Sequence, residues 1–193
     1  MFIRDWKKEI FTIPNLLSLF RLVLIPVYMV IYLHAAEPRE YYIAGGILAV
    51  SCLTDAVDGK VARHFHMVSN VGKVLDPFAD KITQFTLTLC LSMRHPPLRP
   101  VLILFVIKEL FQVIAGLVNL SRGKMLPGAL FAGKLCTTVL FVSLILLVLF
   151  PDIPKSIVLA ISVMDGLFLF ISFAGYMLAY LGKHTKVQDL ENN

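Results

Sequence analysis

The residues with the clearest potential for chemistry lie in one stretch of 26 residues, which reads DAVDGKVARHFHMVSNVGKVLDPFAD. This stretch contains four aspartates, Asp55, Asp58, Asp76 and Asp80, and lies between segments apolar enough to cross a bilayer. An aspartate at the centre of a membrane-spanning helix costs about 2.5–3.5 kcal/mol. Four of them in one stretch therefore indicate a functional site.

The spacing divides these aspartates into two pairs. The first two are three residues apart and the last two are four apart, so that on two helices each pair occupies one face. If the helices form a hairpin, the four carboxylates converge and repel one another unless divalent cations are bound. Oxygen ligands suit Mg²⁺ or Mn²⁺ rather than zinc. Carboxylates with such metals usually act on phosphate groups.

The same stretch matches, position for position, the signature D-x2-D-G-x2-A-R-x8-G-x3-D-x3-D. It therefore resembles the CDP-alcohol phosphotransferase family, and within it most closely the bacterial phosphatidylglycerophosphate synthases. Chain length and the number of predicted helices extend this resemblance over nearly the whole chain. The resemblance implies an integral membrane enzyme that transfers a phosphatidyl group from CDP-diacylglycerol to an alcohol and releases CMP.

The resemblance also implies a role for individual residues. The four aspartates would hold two divalent ions, Mg²⁺ or Mn²⁺, and Asp80 would also act as the general base that accepts the acceptor's proton. No residue suggests a covalent intermediate, so a direct displacement is expected. Contacts with the CDP-lipid are implied for Asn15, Gly59, Arg63, Ser69 and Gly72.

A polar stripe opens the first apolar run. Asn15, Ser18 and Arg21 recur every three residues, and the stretch resembles the N-x2-[ST]-x2-R opening common in the family. This pattern assigns Arg21 to the pocket, as a contact for the acceptor. Lys134, inside the fifth apolar run, is assigned to the acceptor's phosphate by the same resemblance. Snorkelling of either cation to the membrane surface is the alternative.

Composition independently indicates a membrane protein. The chain is 58% hydrophobic and 16% charged, with mean hydropathy +0.78, which lies outside the range of soluble domains. Its net charge of +5 comes from Lys and Arg near the ends of apolar runs, which favours anionic headgroups over nucleic acid as the partner. Three scattered cysteines predict free thiols rather than disulfides or a zinc site.

The hydrophobic pattern predicts an all-α, polytopic membrane protein with six transmembrane helices. The predicted spans are 13–34, 41–64, 72–94, 98–121, 128–150 and 154–181. Connections containing helix breakers are predicted at 37–40, 96–97, 122–124 and 151–154. Residues 1–12 are expected to form a short interfacial amphipathic helix, residues 13–181 the membrane domain, and residues 182–193 a cytoplasmic tail.

The basic residues predict the orientation of these spans. With the N-terminus inside, ten Lys and Arg residues flank the spans on the cytoplasmic side and four on the opposite side. The positive-inside rule therefore places both termini, and the aspartates, at the cytoplasmic face, where a water-soluble nucleotide reaches them. Six short spans leave little interior volume, which together with the resemblance predicts a homodimer.

The resemblance implies glycerol 3-phosphate as the acceptor, which would give phosphatidylglycerophosphate, and one departure from the family pattern leaves other alcohols as alternatives. Phosphatidylglycerophosphate synthases use glycerol 3-phosphate and typically carry an R-E pair in the fourth span and G-K-x-K-T-x-x-Q in the fifth. Here the fourth span has Lys108-Glu109, and the fifth has GKLCT followed by Leu140, so that the second lysine and the glutamine are absent. Phosphatidylglycerol, the acceptor in a cardiolipin synthase reaction, and an inositol phosphate are the alternatives.

Two other classes of protein fit the sequence less well than an enzyme does. A small transporter places acidic residues near the bilayer midplane, often within inverted repeats, and no repeat is visible here. A non-catalytic scaffold conflicts with the intact signature. Two further features have no assigned role: Lys108 and Glu109 form either an ion pair or a pair pointing apart, and Asp165 is interpreted as a helix–helix hydrogen-bond partner.

Overall fold

The computed structural model describes residues 13–64, 72–121 and 131–181, and the regular elements within these ranges are all helices. They are α1 (Ile13–His34), α2 (Pro38–His64), α3 (Gly72–Arg94), a 3₁₀ turn (Pro96–Leu98), α4 (Arg99–Ser121), α5 (Phe131–Leu149) and α6 (Lys155–Leu181). The all-α prediction is therefore confirmed for the described residues. The expected interfacial helix over 1–12 and the tail over 182–193 lie outside them.

The helix ends follow the breakers in the sequence, with one correction. Helices α1 and α3 have the predicted ends, but α2 begins at Pro38, so the prediction of a connection through Glu40 was wrong. Proline is tolerated in the first turn because its missing N–H would be unpaired there. Glu40 Oε2 accepts hydrogen bonds from the backbone N–H of Ala36 (2.6 Å) and Glu37 (3.1 Å). These bonds lower the pKa of the Glu40 carboxyl.

The described residues form two compact units. The first contains α1, α2, α3 and residues Leu144–Ile153, and α1 packs against both α2 and α3. Its end near His34 is held by aromatic contacts: the rings of Tyr28 and Tyr32 stack at 5.5 Å, and the Arg94 guanidinium lies 3.9 Å from the centre of the Tyr41 ring.

Several residues of α1 show the inverse of the exposure expected in a soluble protein. Ser18 is fully buried and Arg21 is 2% exposed, whereas Val23 and Val30 are 57% and 58% exposed. In water the opposite arrangement would be favoured, because burying a charged side chain and exposing a valine both cost free energy. Apolar side chains facing outward around buried polar ones are typical of a helix surrounded by lipid.

Among the described residues, three helical segments are long and apolar enough to cross a membrane. They are Asn15–His34, Pro96–Asn119 and Lys155–Tyr180, and α5 contains a shorter apolar helix, Gly133–Leu149. Helices α2 and α3 carry the charged stretch between Asp55 and Lys81, which lowers their hydropathy. The structure thus supports a helical membrane protein.

The second unit contains residues Pro97–Ser143 and α6, and α4 packs against α6 within it. Lys108 Nζ lies 2.7 Å from Glu109 Oε1, so these neighbours form an ion pair, and Lys108 is only 3% exposed. Ser143 Oγ donates a hydrogen bond of 3.0 Å to Asp165 Oδ1, which joins α5 to α6. The interpretation of Asp165 as a helix–helix hydrogen-bond partner is confirmed. Cys52, Cys90 and Cys136 form no disulfide within the described part of the chain.

Gly133 gives the second unit a close contact that can be tested. A Cβ at this position would lie 2.5 Å from Oη and 2.8 Å from Cε2 of the buried Tyr176. We expect Gly133→Ala to destabilise the protein by about 1–3 kcal/mol, because the ring must move within a packed interior. Thermal unfolding in detergent measures this effect.

Gly166→Ala is the matched control for that substitution. Gly166 lies within α6, and among the described residues no atom other than those of its chain neighbours and its own helix backbone lies within 4 Å of the added Cβ. Alanine has the higher helix propensity, by about 0.8–1.0 kcal/mol, so this variant should unfold at the wild-type temperature or above it. Equal melting temperatures for the two variants would contradict the steric argument.

Candidate active site

Two side-chain pairs join α1 to α3 at one end of the first unit. Ser18 Oγ donates a hydrogen bond of 2.5 Å to Asp76 Oδ1, and Arg21 Nη1 donates one of 2.6 Å to Asp80 Oδ1. Residues three or four apart on a helix are one turn apart. The two pairs therefore lie one above the other, and α1 contacts both carboxylates of α3.

The second pair is asymmetric in exposure. The Arg21 side chain is 3% exposed, whereas that of Asp80 is 52% exposed. A buried guanidinium requires a partner for its charge, and its planar arrangement of donors holds a carboxylate in a defined orientation. Asp80 is therefore both oriented from the protein side and accessible from outside. This combination suits a carboxylate that must meet a ligand.

The polar stripe of α1 is buried along its whole length. Asn15 is 3% exposed and shares its helix face with Ser18 and Arg21. The sequence pattern predicted this stripe. The prediction assigned Arg21 only to the acceptor, however, and gave Ser18 no role at the site. Their pairing with Asp76 and Asp80 is the feature that sequence reasoning missed. The only signal for it was three polar residues at helical spacing in an apolar run.

Helix α2 brings the first two aspartates of the signature into the same unit. Asp55, Asp58, Gly59 and Arg63 lie in the last three turns of α2, so the helical spacing expected for the two aspartates is present in the backbone. The side chains of these four residues are outside the described part of the structure. Gly72 is the first residue of α3, and the predicted contact Ser69 lies outside the described residues.

The metal-ligating prediction rests on carboxylates of which the structure describes two. Among the described side chains, no three acidic, histidine or cysteine residues form a group that could hold a metal ion. Asp76 and Asp80 are described, and both are contacted by donors from α1. Both side chains offer only oxygen ligands and lie on successive turns of one helix, which is compatible with a hard divalent cation.

The second acceptor candidate belongs to the other unit. Lys134 lies in the first turn of α5 and is exposed. Lys108, by contrast, is buried, and its Nζ lies 5.9 Å from the centre of the Tyr176 ring. An exposed ammonium near a helix end is compatible with either assignment made for Lys134, to a phosphate or to the membrane surface.

The fold and these side chains define a helical membrane protein with a carboxylate site between two of its helices. Residues 11–173 match the family model described as CDP-alcohol phosphatidyltransferase. This match covers most of the chain, and the protein belongs to that family.

Several curated relatives carry names from the same family. A probable phosphatidylglycerophosphate synthase of Mycobacterium tuberculosis is 32% identical over 74% of this chain and 68% of its own length. A CDP-diacylglycerol–glycerol-3-phosphate 3-phosphatidyltransferase of Aquifex aeolicus is 35% identical over 70% of this chain and 73% of its own. A cardiolipin synthase (CMP-forming)/mitochondrial hydrolase fusion protein of Schizosaccharomyces pombe is 36% identical over 64% of this chain, which spans 20% of the fusion.

Proposed function

We propose that this protein is an integral membrane phosphatidyltransferase that transfers a phosphatidyl group from CDP-diacylglycerol to an alcohol and releases CMP. The observation that carries the proposal is the arrangement of Asp76 and Asp80 on α3, each held by a buried donor from α1. Family membership supports the reaction class.

Asp80 is proposed as the general base. Its exposed carboxylate accepts the proton of the acceptor's hydroxyl as that oxygen attacks the phosphorus bonded to the lipid, and the bond from this phosphorus to CMP breaks. A general base of this kind contributes about 10²–10⁴-fold to a rate. Arg21 holds one carboxylate oxygen, which orients the group while the proton is transferred.

The metal site is proposed at the four aspartates, Asp55, Asp58, Asp76 and Asp80, with two Mg²⁺ or Mn²⁺ ions. Such ions neutralise the diphosphate and the departing CMP when bound. Asp76, which accepts a hydrogen bond from Ser18, supplies oxygen ligands of the kind that these cations prefer. Contacts with the CDP-lipid are proposed for Asn15, Gly59, Arg63, Ser69 and Gly72.

Glycerol 3-phosphate is the proposed acceptor, which would give phosphatidylglycerophosphate. The names of the Mycobacterium tuberculosis and Aquifex aeolicus relatives support this choice. Arg21 and Lys134 are the proposed contacts for the acceptor. Phosphatidylglycerol is the second candidate, because relatives named cardiolipin synthase align with this chain and because the second lysine of the fifth-span pattern is absent.

The membrane arrangement is proposed to comprise six spans within residues 13–181, with both termini and the aspartates on the cytoplasmic side. Residues 1–12 would lie in the interface as an amphipathic helix and residues 182–193 would form a tail. The distribution of ten against four basic residues supports this orientation. A homodimer is proposed on the small interior that six such spans enclose.

The deciding experiment measures CMP release from CDP-diacylglycerol by the purified protein in detergent with Mg²⁺ or Mn²⁺. Glycerol 3-phosphate, phosphatidylglycerol and inositol phosphate are offered in turn, with a reaction lacking acceptor as the control. Release that requires glycerol 3-phosphate supports the whole proposal. Release only with another alcohol keeps the reaction class and replaces the acceptor. No release with any of the three would overturn the enzymatic proposal.

A further inference from the structure

A small cavity lies in the first unit, one helical turn from the aspartates. It has a volume of about 10 Å³ and is lined by leucine and isoleucine side chains together with Tyr28, Ser51, Thr83 and Thr86. Ser51 is four residues before Asp55 on α2, and Thr83 is three residues after the second carboxylate of α3. The cavity therefore lies along the helices from the site, displaced toward the end of α1 at His34.

Two of the lining hydroxyl groups are buried without a hydrogen-bond partner among the described residues. These groups are Tyr28 Oη and Ser51 Oγ, and the two residues are 3% and 4% exposed. Thr83, in contrast, donates a hydrogen bond of 2.8 Å to the carbonyl of Ala79. A buried hydroxyl without a partner is unfavourable, so two of them on one cavity favour a ligand atom that accepts hydrogen bonds from both.

We propose that this cavity is a binding site for one oxygen atom, which accepts hydrogen bonds from the Tyr28 and Ser51 hydroxyls. The space of about 10 Å³ has room for one oxygen atom, because roughly 10–15 Å³ is the least that holds a water. A water supplies such an oxygen. The ester carbonyl of the CDP-linked lipid supplies one as well, since the esters follow the phosphate on the membrane side. This second source rests on the proposed function.

A double-mutant cycle on thermal unfolding tests the site without requiring any activity. The oxygen is bound through two hydroxyls, so Tyr28→Phe and Ser51→Ala should each lower the melting temperature by about 2–4 °C. The melting temperature of the double variant should fall no further than that of the more affected single variant, because either substitution alone already releases the bound oxygen. Additive losses, or melting temperatures at or above wild type, would overturn the site.

Ser172→Ala is the matched control for Ser51→Ala. Ser172 is fully buried in α6, and its hydroxyl also lacks a partner among the described residues, but it does not line this cavity. Its effect should add to that of Tyr28→Phe, because the two groups share no ligand. If Ser172→Ala and Tyr28→Phe were as non-additive as the first pair, the first cycle would report a general loss of packing. That result would overturn the proposal.

Donor lipids with ester or ether linkages distinguish the two sources. If water fills the cavity, wild type and Ser51→Ala should have the same ratio of kcat/KM for the two donors. If the carbonyl fills it, wild type should prefer the ester donor by about fivefold, the value of one hydrogen bond, and Ser51→Ala should lose the preference. A wild-type protein that releases no CMP overturns the enzymatic proposal alone, and the unfolding cycle then decides the oxygen site.

Discussion

Replacing Asp80 with asparagine is expected to lower the rate of CMP release by about 10²–10⁴-fold, the range for loss of a general base. The amide has the shape of the carboxylate, and its oxygen can still accept the hydrogen bond that Arg21 donates over 2.6 Å. It cannot take up the acceptor's proton at neutral pH. The fold should therefore persist at a lower melting temperature, because the buried Arg21 loses its charged partner, while the reaction slows. Initial rates with saturating acceptor, beside the melting temperature, measure both effects.

The matched control is Asp152→Asn, which removes the same charge from an exposed position in the turn before α6. Its rate should stay within about twofold of wild type, because an exposed charge far from a site is screened by solvent. Repeating the Asp80→Asn assay over a range of Mn²⁺ concentrations separates two losses. A rate restored by high Mn²⁺ would assign Asp80 to metal binding alone and remove it as the base.

The helices of this protein could be predicted from the sequence because a lipid environment restricts which backbone structures an apolar segment can form. Apolar runs had to be helical, since every backbone group must find a partner inside the segment. The start of α2 was misplaced because Pro38 looks like a breaker, although proline at a first helical position fits the fixed φ and the missing donor. The capping carboxylate of Glu40 three residues into the turn was the signal for the earlier start.

Only part of the candidate site could be predicted from the sequence. Periodicity placed Asn15, Ser18 and Arg21 on one face of α1, but it does not fix the height at which α1 packs against α3. The partners Asp76 and Asp80 depend on that height. The cavity lined by Tyr28 and Ser51 was also missed, because it arises where side chains of three helices fail to fill a space.

Arg21→Lys is expected to reduce kcat by about tenfold and Arg21→Gln by up to about a hundredfold, the range for residues that orient a functional ligand. Lysine keeps the charge but loses the planar arrangement of donors that fixes the Asp80 carboxylate at 2.6 Å. Stability should fall by about 1.5 kcal/mol in the glutamine variant, the low end for a charged hydrogen bond, because Asp80 is half exposed. Steady-state kinetics and thermal unfolding report the two effects.

The division between kcat and KM then decides how Arg21 acts. A residue that only contacts the acceptor raises its KM and leaves kcat unchanged, whereas one that positions Asp80 lowers kcat at saturating acceptor. Arg94→Lys is the matched control, because its guanidinium lies over the Tyr41 ring at the other end of the same unit. It should lower the melting temperature and leave kcat within about twofold of wild type, since that contact supports packing rather than the reacting groups. Equal losses of kcat in the two lysine variants would show that both substitutions lower activity only by destabilising the first unit. The pairing of Arg21 with Asp80 would then have no separate role in the reaction.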